Sequence, residues 1–185
     1  CCDSISINLF KLLASAMQLR PNRTKILSQV DNFPTDLYVA EGLERMLGKS
    51  RCTLELCPSE DLAAAMTGEV SVLMLSHVSF RDGSILDVAD LTRSAHENGI
   101  LVIWDLAHSA GVLNIALDDW DVDFAVGCGY KFLNGGPGAP SFLYVNKRLH
   151  DQFIQPLQGW MGHEKPFQFD QEFVPAAGIR QFVAG

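Results

Sequence analysis

No stretch of this chain stays apolar long enough to cross a bilayer, and its opening residues do not read as a secretory leader. A membrane partner is therefore not expected. Positive charge is scarce as well: 14 Lys and Arg stand against 22 Asp and Glu, a formal net charge of -8. The densest basic region, residues 20–25, is short and interrupted by Pro21. Nucleic acid needs a concentrated positive footprint, so it is disfavoured as a partner, and the acidic excess reads as solvated surface. Cysteines are few. Cys1, Cys2, Cys52, Cys57 and Cys128 are odd in number and lack zinc-ligand spacing, and the five histidines are scattered. They read as reduced thiols of a cytoplasmic protein, with no metal site expected.

What the chain does have is core material. Hydrophobic residues make up 48% of its 185 positions, enough to offset chain entropy and to exclude disorder. Short apolar runs alternate with helical periodicity. Helices are predicted over 4–20, 35–47, 59–66 and 87–98, with Gly48 and Gly99 closing the second and last. Strands are predicted over 25–30, 51–56, 70–75, 100–104, 124–126 and 141–145. This alternation predicts an α/β fold with a mainly parallel, doubly wound sheet and helices on both faces. Ligands of such sheets bind beyond the carboxyl ends of the strands. No repeat or linker divides the chain. Cys1 lies directly beside a helix start, so the natural N-terminus is expected upstream.

Two segments at predicted strand ends carry chemistry. Asp105 follows the run 100–104 and could hydrogen-bond a cationic ring nitrogen, although an Asp there could equally cap the next turn. Lys131 lies between the run 124–126 and the turn Gly135-Gly136-Pro137-Gly138. Desolvation there would make its amine nucleophilic towards carbonyls, whereas an ordinary loop lysine is the plain alternative. Strand, Asp, connection, strand, then Lys before a Gly-rich turn is the order found in fold-type I pyridoxal-phosphate enzymes.

The likeness narrows with four segments taken together. They are Asn32-Phe33-Pro34-Thr35-Asp36-Leu37-Tyr38, Asp105-Leu106-Ala107-His108, Tyr130-Lys131-Phe132-Leu133-Asn134 and Gly159-Trp160-Met161-Gly162-His163. In this order and spacing the chain resembles kynureninase, particularly its bacterial members. Phe132 and Met161 depart from the residues common there, Tyr and Phe, but stay apolar.

The resemblance implies roles. Lys131 would hold pyridoxal 5'-phosphate as a Schiff base, and Asp105 would pair with the pyridinium nitrogen, with His108 nearby. Phe33 would stack on the ring, beside Pro34, Thr35 and Asp36. Ile5 and Ser6 would bind the phosphate at a helix start, where free N–H groups and the helix dipole favour an anion. Ser76 would belong to the cofactor site, and Tyr130 and Trp160 would contact the phosphate. The implied reaction is hydrolysis of L-kynurenine, or its 3-hydroxy form, to anthranilate (3-hydroxyanthranilate) and L-alanine, in tryptophan catabolism and NAD biosynthesis. Lys131 would move the α-proton and Tyr130 would be a candidate acid.

Cysteine desulfurases and class V aminotransferases of the same fold usually carry His before the lysine and Gln after the aspartate, where Tyr130 and His108 stand here. A structural α/β domain without catalysis is the alternative of another class. The resemblance further implies that residues 1–185 are part of the cofactor-binding large domain of a homodimer, without an N-terminal segment and the C-terminal small domain. The chain alone is then expected to be inactive.

Overall fold

A computed structural model describes residues 1–153 and 155–185 of the chain. Apolar runs such as Val70–Ser76 have side chains on both faces of a pleated strand, so both faces need cover. They find it in a six-stranded sheet of order β2-β1-β3-β4-β5-β6. The strands are β1 Lys25–Gln29, β2 Thr53–Cys57, β3 Val70–Ser76, β4 Leu101–Asp105, β5 Phe124–Cys128 and β6 Ser141–Val145. Every neighbouring pair is parallel except β5 with β6. The mainly parallel sheet expected from the alternation is present, with one antiparallel edge strand.

The four α-helices among the described residues are α1 Ile5–Leu19, α2 Pro34–Leu47, α3 Leu62–Ala65 and α4 Val88–Glu97. Alternate strand residues feed two cores. Ile26, Val72, Met74, Ile103, Phe124 and Val126 pack under α1 and α2 through Leu12, Leu13, Ala40 and Leu43. Leu27, Leu73, Leu75, Val102 and Trp104 face the other way, against Leu62 of α3 and Val88 and Ala95 of α4. The buried Trp104 indole donates to Thr92 Oγ1 at 3.1 Å, which sets α4 against β4. No helix among the described residues is long and apolar enough to cross a membrane, and all five cysteines are free.

Three elements differ from the sequence pattern by more than one residue at an end. β2 starts at Thr53, because Arg51 and Cys52 close the turn after α2 by donating to the Gly48 carbonyl. The helix expected over 59–66 is a 3-10 turn, Ser59–Asp61, followed by the single turn of α3, since Pro58 and Gly68 leave no room for more. β5 continues two residues further, to Cys128.

Parallel register then places the site. Ser76 and Asp105 are direct neighbours at the ends of β3 and β4, and the His77 N–H donates to the Asp105 carbonyl at 2.9 Å. The carboxyl ends of β1, β3, β4 and β5 thus meet along one sheet edge.

Candidate active site

A cavity of about 320 Å³ opens at that edge, within the usual small-molecule range of about 300–1,000 Å³. Its wall includes Ile5, Ser6, Phe33, Thr35, Asp36, Asp105, Tyr130 and Lys131. Eight expected site residues from four separate chain segments therefore share one space. His108 joins them through Lys131, its Nε2 lying 3.0 Å from the lysine Nζ. Pro34 occupies the first turn of α2, where its missing N–H costs nothing, and so starts the helix that carries Thr35 and Asp36.

Each expected site residue has a local cause for its place. Asp105 ends β4, and its Oδ1 accepts the Ala107 N–H at 2.7 Å. Lys131 follows β5 by three residues in a compact loop. The Asn134 N–H returns to the Lys131 carbonyl at 3.0 Å, and the Gly135 N–H to Gly129 at 2.8 Å. A Cβ on Gly135 would stand 2.9 Å from the Gly129 carbonyl oxygen and 2.7 Å from Ala139 Cβ, so the loop closes only with glycine there. Ser4 caps α1, its hydroxyl accepting the Ile7 N–H at 3.4 Å. The remaining first-turn N–H groups of this 15-residue helix start at the cavity wall.

The electrostatics are those of an incomplete site. Asp36 is 1% exposed, yet neither carboxylate oxygen has a hydrogen-bond partner among the described residues. Burial and the adjoining Asp105 charge push its carboxyl up to about 8. Burial also raises Asp105, against the opposing pull of the Ala107 N–H, Asp36 and Lys131. Both carboxyls are therefore held above the usual carboxylate range, as expected of two carboxylates buried side by side. His108 is shifted down by burial and by Lys131, so it is neutral at pH 7. Tyr130 is raised by partial burial and by Cys128, so its phenol keeps its proton. Lys131 Nζ stands 5.7 Å from the ring centroids of both Phe33 and Tyr130, near the outer limit of about 6 Å for a cation–π contact.

Three expectations are met differently. Lys131 is only half-buried, and Phe132 and Leu133 beside it are exposed, because the loop sits at the open mouth of the cavity. Full desolvation of the lysine is thus not supplied within this chain. Ser76 is not on the cavity wall. Its hydroxyl donates to Asn32 Oδ1 at 2.7 Å, and that oxygen also accepts the Phe33 N–H at 2.8 Å. Asn32 Nδ2 donates in turn to Ser28, whose hydroxyl reaches the Met74 carbonyl. Ser76 therefore serves the entry of α2 and the Phe33 ring from behind. Trp160 lies elsewhere, in a groove with His163, Lys165 and Phe169, stacked on Phe169 at a centroid distance of 5.7 Å. Within one chain it does not share the Lys131 cavity.

Residues 49–176 match the Aminotransferase class-V family. The chain belongs to that family. It is 50% identical over 183 residues to a kynureninase of Deinococcus radiodurans, covering 99% of this chain and 44% of that protein. The chain thus spans under half the length of this curated relative. Among solved structures, a C-DES mutant with glycine covalently linked to its PLP cofactor superposes over all of this chain with a TM-score of 0.82 at 18% identity. A cysteine desulfurase from Thermococcus onnurineus does so over 97% of this chain and 46% of its own, with a TM-score of 0.77 at 22% identity. These two likenesses bear on fold alone, and the fold is the expected fold-type I arrangement with a mainly parallel sheet.

Sequence reading missed Asp3, Ser4, Ala107, Ala139 and Ser141 on the cavity wall, and Lys11 beneath it. One signal existed for Lys11: it is the sole charged residue of α1.

Proposed function

We propose that this chain is part of the large domain of a kynureninase, an enzyme that uses pyridoxal 5'-phosphate to hydrolyse L-kynurenine, 3-hydroxy-L-kynurenine or both. The observation that carries the reading is 50% identity to a kynureninase along 99% of the chain. The cavity supports it through its donor set. A cationic ring nitrogen would supply the donor that the buried Asp36 oxygens lack, and would relieve the strain between two adjoining carboxylates. Phe33 offers an aromatic wall, Lys131 an amine, and the start of α1 an anion site at Ile5 and Ser6. When bound, the cofactor supplies a ring that accepts electrons from the substrate's amine-bearing carbon.

The chain's own residues then divide the work. Lys131 would hold the cofactor through its amine, and that amine would carry the proton taken from the substrate α-carbon. Neutral His108 gives that amine a hydrogen-bond partner that does not compete for its charge. Asp105 and Asp36 would hold positive charge at the ring nitrogen. Tyr130, protonated at neutral pH, is the acid that can return a proton after the carbon–carbon bond breaks. Exposed Phe132 and Leu133 next to Lys131 support a homodimer in which a partner covers the mouth of the cavity. Trp160 would belong to the phosphate contacts in that assembly. Free cysteines are in keeping with a cytoplasmic protein.

The fold also carries cysteine desulfurases, so substrate choice is the test. The full-length protein, loaded with pyridoxal phosphate, is given kynurenine, 3-hydroxykynurenine and cysteine in parallel. Fluorescent anthranilate or its 3-hydroxy form is expected, without sulfide from cysteine. Sulfide release with no aromatic product would replace this reading with the desulfurase one.

A further inference from the structure

The one charged side chain buried in α1 lies beneath the cavity. Lys11 is fully buried, its Nζ 2.6 Å from Asp3 Oδ2 and 2.6 Å from the Phe182 carbonyl oxygen. Asp3 in turn lines the cavity beside Ser4, Ile5 and Ser6. Its backbone is left-handed, with φ of +51°, a strained state for a residue with a side chain. Neighbouring contacts hold it there. The Ser141 N–H donates to the Asp3 carbonyl, the Cys2 N–H to the Ser141 carbonyl, and the buried Asn8 amide to Cys2 and Ser141.

An aspartate at the wall of an anion site is a liability, because its charge repels what the helix start attracts. The Lys11 ammonium cancels it and fixes the carboxylate in one place. The same cavity holds the buried, unpartnered Asp36, an independent sign that a ligand completes it. We infer that Lys11 is a positioning residue for the cofactor's phosphate: it neutralises Asp3 and pins residues 3–6 so that the start of α1 can receive an anion. This rests on the reading that the cavity takes pyridoxal phosphate.

The two members of the ion pair should act in opposite directions on one ratio. Apo full-length protein is titrated with pyridoxal 5'-phosphate and with pyridoxal, which shares ring and aldehyde but lacks the phosphate. Lys11→Met is expected to weaken pyridoxal phosphate about tenfold while moving pyridoxal by less than about threefold, the size of one unit charge acting at a partly solvated site. Asp3→Asn is expected to raise the preference for the phosphate form. Asp3→Asn/Lys11→Met, which removes both charges, should return the preference to within about threefold of wild type. Asp3→Asn and the double variant decide the matter if Lys11→Met alone does not fold. A role in folding alone would shift both ligands together, and would make Asp3→Asn and Lys11→Met move the ratio the same way. Either result overturns the inference. If wild-type protein binds pyridoxal phosphate and pyridoxal equally well, the phosphate site at α1 is wrong. If it binds neither, the cofactor reading fails first.

Discussion

Two buried aspartates sit at opposite ends of the same pair of strands, and their surroundings could hardly differ more. Asp123 stands just before β5, at the amino edge of the sheet. Its Oδ2 accepts from His96 Nε2 and from the Val102 N–H, both at 2.8 Å, and its Oδ1 accepts from Arg148 Nη2 at 2.7 Å. Asp105 ends β4 at the carboxyl edge. It accepts the Ala107 N–H, and beside it lies a second buried carboxyl, Asp36, whose oxygens have no hydrogen-bond partner among the described residues. Both ends bury negative charge. Only one supplies enough donors for it, and the other faces a cavity. A saturated carboxylate holds elements together, whereas an under-supplied one is held ready for a ligand.

The sharpest test of that division is Lys131, the amine that lines the same cavity as the under-supplied pair. Lys131→Ala is expected to abolish turnover, and borohydride should then fix no cofactor to the chain, since no other lysine lines the cavity. Mass spectrometry after reduction reads this directly. Cofactor still covalently trapped on the variant would move the attachment site elsewhere.

Asparagine at each aspartate compares the two ends by one chemical change. Asp105→Asn should lower turnover by orders of magnitude while leaving the apo protein at least as stable, because it removes a charge that burial disfavours. The Ala107 hydrogen bond survives in the amide. Asp123→Asn should do the reverse. Its NH₂ must face either Arg148 or the His96 and Val102 donors, at a cost of about 2–4 kcal/mol. Turnover per folded molecule should stay near wild type. Denaturant titration beside kinetics separates the outcomes, and equal stability losses at both positions would erase the contrast drawn here.

The carboxyl edge was partly legible in the sequence, the amino-edge network of Asp123 was not, and the reasons are physical. β3 and β4 read as strands because burial on both faces demands unbroken apolar runs. Asp105 and Lys131 stood out because their residue types interrupt such runs at the sheet edge where ligands bind. Contacts distant in sequence were not legible. The Lys11–Asp3 pair with the Phe182 carbonyl spans nearly the whole chain. The resemblance assigns Ser76 to the cofactor site, but that its hydroxyl reaches Asn32 behind Phe33 is a contact set by the segment after β1. The half exposure of Lys131 depends on what covers the loop, and strand periodicity carries no information about that.

The Asp36–Asp105 pair also makes a pH prediction. Folded Asp36 keeps its proton to about 8, whereas an ordinary aspartate in the unfolded chain releases it near 3.8. Between those values the folded protein binds the extra proton, so stability falls as pH rises through the window. The apo protein should therefore melt at a higher temperature at pH 5.5 than at pH 8. Asp36→Asn should flatten that slope. A slope unchanged in the variant would place the proton elsewhere.

The smallest expected effect comes from changing one histidine at each end to glutamine. His96 gives Asp123 one of three donors, so His96→Gln should cost about 1 kcal/mol and leave turnover unchanged, the Val102 N–H and Arg148 still serving the carboxylate. His108 donates to no saturated network; its partner is Lys131 Nζ. His108→Gln should therefore leave stability within about 0.5 kcal/mol of wild type, as for a change outside any packed network. Turnover should nevertheless fall about tenfold or more, since a displaced proton-carrying amine raises the barrier by at least about 1.4 kcal/mol. The pair of variants thus asks whether loss of one hydrogen bond is felt as stability at the amino edge and as rate at the carboxyl edge. Parallel melting curves and single-turnover rates answer it. A rate loss in His96→Gln as large as that in His108→Gln would mean that the two edges are coupled, and that the saturated end is not merely structural.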